Sequence, residues 1–527
     1  MQDSIRRFAG RYAIYIIAFI AILPAICLRD FTPDNELRYV SIAGEALSDG
    51  RLMAFTNHGV PYADKPPLYM WICMLGRLIC GTRCLPFITL FSVVPAFIVT
   101  EILRRRCSPL LPGIWREAAP LMLLTSGLFL GLELTMRMDM LMTMFIVLAL
   151  DTFSRIYRGD HSLRLRLLFP LWVFAALFTK GPYGILIPLV ATLTFCACTH
   201  RMKVAKMVWG WRSWGIILLL CILWFGGVYL EGGADYLDNL LFRQTMGRAV
   251  KSFAHSEPFY YYGITIWYSL APWTPAVIAS ICLMLSTRQS RQSLSATERF
   301  FLITPAVVFV LLSLFSAKLA VYLLPAFPYI IFAGAMGMAV RKSSHLIRWC
   351  IAVPAIIFML LPFAWTIVMS RFPEYNLFPL RMACYLLFLG AAATLYLLFR
   401  KGGKESMAKA VCALSLSIFA ALFSAGFGLP ALNPYIGYRD LAEKTLLLSK
   451  TENTAVYTFK VRRPENLDVY LGREVSVIEE SPEGTTPLPS SGLLLTRIKD
   501  IPEGVTPLAT SGHFAILALE SIPDRSI

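Results

Sequence analysis

Apolar residues fill the first 429 positions in long blocks separated by short polar stretches, and about 20 apolar residues in a row suffice for a helix to cross the hydrocarbon core of a bilayer. Blocks near 12–28, 84–103, 118–133, 140–155, 167–179, 183–199, 214–230, 260–285, 300–316, 321–339, 349–369, 380–399 and 408–429 predict about thirteen transmembrane helices, several of them short. The first block follows Arg6, Arg7 and Arg11, and Pro24-Ala25-Ile26-Cys27 is a poor cleavage site, so it is expected to be a retained helix, not a signal peptide. Beyond Pro430 the pattern changes. Residues 438–450 are expected to be helical, and 454–461, 468–478, 492–498 and 513–522 read as short strands between Pro, Gly and Ser turns. The expected fold is a polytopic α-helical membrane protein, residues 1–429 with an outer loop at 29–83, followed by a small extracytoplasmic α/β domain at 430–527.

Composition supports this. Hydrophobic residues make up 57% of the 527, charged residues only 16%, and the mean hydropathy is +0.61. The net charge of +16 would suggest nucleic acid as partner in a soluble chain, but the excess sits between apolar blocks. One set of connections is basic: Arg104 to Arg106, Arg155 and Arg158, Arg201 with Lys203, Arg288 with Arg291, Arg341 with Lys342, and Arg400 with Lys401. The other set holds most acids. The positive-inside rule places the basic loops and the N-terminus in the cytoplasm, and an odd number of spans puts the C-terminus outside. All 12 cysteines precede residue 413, mostly within apolar blocks, and read as small hydrophobes. There is no Walker or dinucleotide fingerprint and no His-Glu-x-x-His zinc signature.

The outer loop is the densest source of chemistry. In Thr32-Pro33-Asp34-Asn35-Glu36-Leu37-Arg38-Tyr39, threonine is expected to N-cap a helix with proline in its first turn. Leu37, Val40, Ala43 and Leu47 would share its apolar face at the membrane surface. Asp34 and Glu36 suit a helix N-terminus, with Asp34 and Arg38 an i,i+4 pair, and suit a catalytic role equally. Pro66-Pro67 opens another helix just after Asp64 and Lys65. That lysine either snorkels to the interface or receives a phosphate. At three more span boundaries, Arg137 and Asp139 lie among methionines, Lys180 precedes Gly181-Pro182, and Lys318 precedes Tyr322. Ionisable residues at such depth mark functional sites by default. Several cations at one membrane level, opposite a few acids, suggest a site for an anionic headgroup.

Six segments, in order, resemble the polyprenyl-phosphate-sugar-dependent glycosyltransferases of the GT-C superfamily, specifically the bacterial lipid A aminoarabinose transferase branch, with the protein O-mannosyltransferases more distant. They are Pro33 through Tyr39, Pro61 through Tyr69, Arg137-Met138-Asp139, Thr179 through Pro182, His255 through Tyr262 with Pro272-Trp273, and Ser316 through Tyr322 with Pro325. The family's first loop carries adjacent Asp-Glu before x-Arg-Tyr, whereas here Asn35 separates Asp34 from Glu36. Asp34 is expected as the principal carboxylate and Glu36 as the reserve.

The resemblance implies an inverting transferase in a bacterial cytoplasmic membrane, with its C-terminus periplasmic. It would move a sugar, aminoarabinose or a relative, from undecaprenyl or another polyprenyl phosphate to a lipid A-type acceptor on the outer face. It implies Asp34, Glu36 and Asp139 as catalytic acids, and Lys65, Arg38, Arg137, Lys180, Lys318, Tyr62 and Tyr322 around the donor phosphate. No cofactor is required, although Asp64 and His255 are candidate zinc contacts. Protein mannosylation, and a polyprenyl-linked glycan transporter of a different class, are the alternatives. A transporter should show inverted repeats and charges at the bilayer midplane, which are not evident.

Overall fold

The computed structural model describes residues 2–246, 257–340, 345–400, 403–449, 454–480 and 488–522. His255, Arg341, Lys342 and Lys401 lie outside the described residues. The chain forms two compact units. The first comprises residues 1–26, 63–69 and 89–427; the second comprises 27–62, 70–88 and 428–527.

The first unit is a helical membrane bundle. Each predicted span falls on a helix or a broken pair, but among the described residues only eight helices are long and apolar enough to cross a membrane, or up to ten if each bent pair is one span. The difference has physical causes. Leu163–Lys180 carries Arg164, Arg166 and Lys180, and Tyr183–Cys198 is 16 residues long. The block at 118–133 divides into Trp115–Leu124 and Gly127–Glu133. Between them the Thr125 and Ser126 hydroxyls donate to the carbonyls of Leu121 and Met122, at 2.6 and 2.7 Å, competing locally with the helix. The block at 260–285 is two helices, Tyr261–Ser269 and Thr274–Leu285, bent by 117°. In Ala320–Val340, 94% of the most apolar stretch is buried within the bundle.

The second unit combines the outer loop with the C-terminal residues. Its five-stranded sheet has the order Ser476–Ile478, Val456–Phe459, Leu493–Arg497, Phe514–Ala518, Ala509–Ser511. The strand Val456–Phe459 is parallel to both its neighbours and the remaining pairs are antiparallel. Leu494, Leu517, Phe459 and Leu519 form its core. The stretch expected to be one strand at 468–478 instead begins as a helical turn, Asp468–Leu471, ended by Gly472 in the left-handed region (φ 66°). That is the usual glycine stop of a helix. The loop is tied to this sheet domain through Asp30, which is 1% exposed. Asp30 accepts from the backbone N–H groups of Phe31 at 2.7 Å and Arg439 at 2.9 Å, and from the Tyr470 hydroxyl. Asn433 completes the tie, donating to the Leu28 carbonyl at 2.8 Å and accepting from the Asp30 N–H at 2.9 Å.

Candidate functional site

In the first unit the candidate residues converge at the ends of two helices. Asp139 begins Asp139–Tyr157, and Lys180 is the last residue of Leu163–Lys180. An acid at a helix N-terminus and a cation at a C-terminus both complement the helix dipole. Gly181 then turns the chain with φ 90°, a conformation open to glycine alone at little strain. Gly184 lets the next helix press directly on the backbone of Ala176 and Leu177. The Asp139 carboxylate, 1% exposed, is shared: Oδ1 accepts from the Lys180 ammonium and Oδ2 from Arg137 Nε at 3.1 Å. The Lys180 side chain is 7% exposed and that of Arg137 34%. The Lys180 ammonium also lies 4.7 Å from the ring centroid of Tyr322, which in turn packs against Tyr183 at 5.2 Å. Ser92 fixes the connection before Asp139 by donating to the carbonyls of Thr135 and Arg137, at 2.8 and 3.1 Å.

The remaining predicted residues of this unit are placed differently. Lys318 is 3% exposed and donates to the Glu257 carbonyl at 2.8 Å, so its ammonium holds a loop. Asp64 and Lys65 are half-buried just ahead of the helix Pro67–Cys80. For the candidate zinc pair, His255 lies outside the described residues, and no group of three or more His, Cys, Asp or Glu side chains among the described residues is arranged to hold a metal.

In the second unit the loop helix is present, with two departures from expectation. It begins with a π-helical turn, Pro33–Leu37, and continues as Arg38–Asp49. Thr32 makes no side-chain cap; its N–H and hydroxyl both donate to Glu36, at 2.9 and 3.0 Å. Glu36, 2% exposed, also receives a two-pronged Arg29 pair with both contacts at 2.6 Å. Its lone pairs are thus occupied in shaping the turn. Asp34 does not pair with Arg38. It lies 2.7 Å from Arg462 Nε, and its side chain remains 35% exposed. Arg38 instead donates to Asn35 at 3.3 Å and lies over the rings of Tyr62 and Tyr39, at 5.4 and 5.9 Å. Asn35, the residue that interrupts the expected acid pair, is what holds Arg38.

Sequence reading missed Glu45. Its carboxylate takes the Thr56 hydroxyl at 2.5 Å and the N–H groups of His58 and Gly59 at 2.6 and 2.9 Å. His58 and Gly59 both have positive φ and form the tip of the small hairpin Thr56–Asn57 with Val60–Pro61, so Glu45 clamps a tight primed turn. Burial pushes the Glu45 carboxyl up, but the three donors outweigh it and hold it below its ordinary range. Asp468, by contrast, is raised by burial, against the opposing effects of Ser41, which donates to it at 2.9 Å, and His58.

No protein-family profile matches the chain. In sequence it is 26% identical over 337 residues to the undecaprenyl phosphate-alpha-4-amino-4-deoxy-L-arabinose arabinosyl transferase of Edwardsiella ictaluri, across 61% of this chain and 58% of that protein. The chain thus spans under two thirds of that transferase. It is 24% identical over 379 residues to an uncharacterized protein of Aquifex aeolicus, across 69% of this chain and 72% of that one. The crystal structure of ArnT from Cupriavidus metallidurans bound to undecaprenyl phosphate superposes with a TM-score of 0.76 at 15% identity, over 98% of this chain and 99% of the other. In sequence the chain is therefore similar to undecaprenyl phosphate-alpha-4-amino-4-deoxy-L-arabinose arabinosyl transferases, and it shares the fold of the Cupriavidus structure, a polytopic α-helical membrane protein with a small α/β domain near its C-terminus.

Proposed function

We propose that the protein is an inverting membrane glycosyltransferase that moves aminoarabinose from undecaprenyl phosphate to a lipid A-type acceptor on the outer face of a bacterial cytoplasmic membrane. The N-terminus would be cytoplasmic and the C-terminus periplasmic. The observation that carries this reading is the pair of cations, Lys180 and Arg137, held by one buried carboxylate at the end of a span. A polyprenyl monophosphate leaving group needs such a pair, because negative charge grows on its oxygens as the bond to the anomeric carbon breaks. Asp139, with both oxygens engaged, keeps the two cations in place and is a positioning residue in this reading. Lys180, Arg137 and Lys65 are assigned to the phosphate, with Tyr322 beside Lys180 as a further donor.

Asp34 is assigned to the acceptor. The acceptor oxygen bonds to the anomeric carbon from the face opposite the phosphate, the bond from carbon to phosphate oxygen breaks, and undecaprenyl phosphate departs with the electron pair. A hydroxyl acceptor must also give up its proton to a base such as Asp34. A phosphate monoester near neutral pH is already largely ionised, with a second pKa of about 6. Arg462, 75% exposed beside Asp34, favours the anionic acceptor.

The deciding experiment is mass spectrometry of lipid A and of outer-face proteins from cells with and without the protein, matched by transfer assays with purified chain and undecaprenyl-phosphate aminoarabinose. Addition of aminoarabinose to lipid A that depends on the protein is expected. Unchanged lipid A, or hexose on outer-face proteins in its place, would overturn the assignment.

A further inference from the structure

One loop of the C-terminal domain is built at a cost. Between the strand Val456–Phe459 and the helical turn Pro464–Leu467, Lys460 and Arg463 both have φ in the left-handed region, at 56° and 52°. Residues with a Cβ rarely adopt that conformation, and such strain persists only where the surroundings enforce it, most often at functional sites. Here two buried side chains enforce it. Tyr438, 2% exposed, donates its hydroxyl to the Arg462 carbonyl. Asn466, fully buried, donates its backbone N–H to the Arg463 carbonyl at 3.2 Å and its side-chain amide to the Pro33 carbonyl at 3.0 Å. The loop is thereby fixed against the first turn of the outer-loop helix, and the side chain it brings to Asp34 is Arg462.

The contact between them is loose in one respect. Arg462 Nε lies 2.7 Å from Asp34 Oδ1, yet that oxygen, although buried, accepts no hydrogen bond among the described residues. The pair is held by charge alone. Among the described residues no hydrogen-bond acceptor meets the two terminal nitrogens of Arg462 either, and the side chain is 75% exposed. An ion pair this exposed adds little to stability, so stability alone does not account for a strained loop that delivers it. Arg463, 51% exposed and 3.7 Å from Glu465, adds a second positive charge at the next position.

Asp34 is the carboxylate assigned to the acceptor, and a bare carboxylate would repel a phosphate brought to the same place. Arg462 reverses the sign at the surface and leaves the carboxylate beneath it. A planar guanidinium serves two anions at once, with Nε toward one and its terminal nitrogens toward the other, and its fork matches the oxygens of a phosphate. We propose that the C-terminal domain reads the acceptor: Arg462, mounted on its strained loop, stays on Asp34 through Nε and takes the acceptor's phosphomonoester with its terminal nitrogens, selecting an anionic acceptor over a neutral one. The proposal rests on the acceptor class proposed above and adds the domain and the residue that recognise it.

The test uses the full chain, purified and reconstituted in vesicles, with undecaprenyl-phosphate aminoarabinose as donor and lipid A as acceptor. Arg462→Gln is expected to raise the KM for lipid A by about tenfold to a hundredfold, the range for a hydrogen bond to a charged group, with the KM for the donor unchanged. Arg462→Lys, which keeps the charge and loses the fork, should fall between the two. Glucose 1-phosphate should compete with lipid A, and not with the donor, in the unmodified protein; methyl glucoside should not compete, and Arg462→Gln should abolish the competition. An unchanged KM for lipid A in Arg462→Gln overturns the proposal. A lower kcat with both KM values unchanged marks a merely structural arginine and overturns it too, as does a rise in the donor KM in place of the acceptor KM. Each of these results, obtained while the unmodified protein still transfers the sugar, leaves the proposed reaction standing. No transfer to lipid A by the unmodified protein overturns both.

Discussion

Asp139 gives the sharpest structural prediction, because one buried carboxylate carries two cations of different exposure. Lys180, 7% exposed, depends on Asp139 for its charge balance, and Arg137, 34% exposed, is largely screened by solvent. Replacing Asp139 with alanine therefore costs mainly the Lys180 pair. Breaking a buried pair from one side costs about 3–5 kcal/mol, since it strands an uncompensated charge, whereas the exposed Arg137 contact contributes roughly 0–1 kcal/mol. Lys180→Met should be less costly, because Arg137 still serves the remaining carboxylate. The double variant Asp139→Ala with Lys180→Met removes both buried charges and should be more stable than Asp139→Ala alone. The coupling between the two positions is expected at about 1–3 kcal/mol. Unfolding of a chain this size is not expected to be two-state, so the cycle is best read as the order of melting temperatures in nanodiscs, with hydrogen exchange at residues 139–143 as a local monitor. Additive effects would refute the reasoning. So would an Asp139→Ala variant no worse than a surface substitution, within about 0.5 kcal/mol.

Two further outcomes separate the acids of the outer loop. Asp34→Asn should retain the melting temperature and lose transfer to a hydroxyl acceptor by ~10²-fold or more, while Glu36→Gln should lower the melting temperature because it weakens the Arg29 and Thr32 contacts; kinetics and scanning fluorimetry on the same preparations check both, and an inactive, fully stable Glu36→Gln would reverse the assignment. The Glu45 clamp should be pH-sensitive. A carboxyl held below its ordinary value stabilises the fold above about pH 4.3 and loses that contribution as pH falls through the lowered value, so exchange at the His58 and Gly59 amides should rise on acidification. Asp468 has the opposite sign, contributing below its ordinary value and losing that contribution as pH rises through the raised one. Glu45→Gln isolates the effect and should make the hairpin's exchange nearly independent of pH in the acidic range; persistence of the acid response in that variant would assign it elsewhere.

The membrane half was legible because hydropathy acts over whole spans, and lipid forces apolar backbone into helices. What escaped was local competition. The break at Thr125 and Ser126 comes from hydroxyls that bond back one turn, and such residues satisfy a continuous helix equally often. In the C-terminal domain the misread element at 468–478 had a visible marker in Gly472, four residues after Asp468, but Val469, Tyr470 and Leu471 pointed toward a strand. The strand Ala509–Ser511 was missed because three residues give no alternation to read.

The candidate site shows the same division between what a residue is and whom it meets. The sequence marked Asp139, Lys180 and Arg137 as unusual because charges at span boundaries are costly, and that cost is intrinsic to each residue. Their meeting depends on helix ends 41 positions apart, which no local pattern encodes. For Asp34 the local rule gave the wrong partner: Arg38 stands at the favoured spacing, yet Arg462, 428 positions away, takes the ion pair because the π-helical turn changes the register of the first helical residues. That same turn closes Glu36 into contacts with Arg29 and Thr32 and leaves Asp34 as the acid that still faces solvent. The inserted Asn35 therefore does more than separate two acids: it sorts them into one that builds the turn and one that remains available for chemistry.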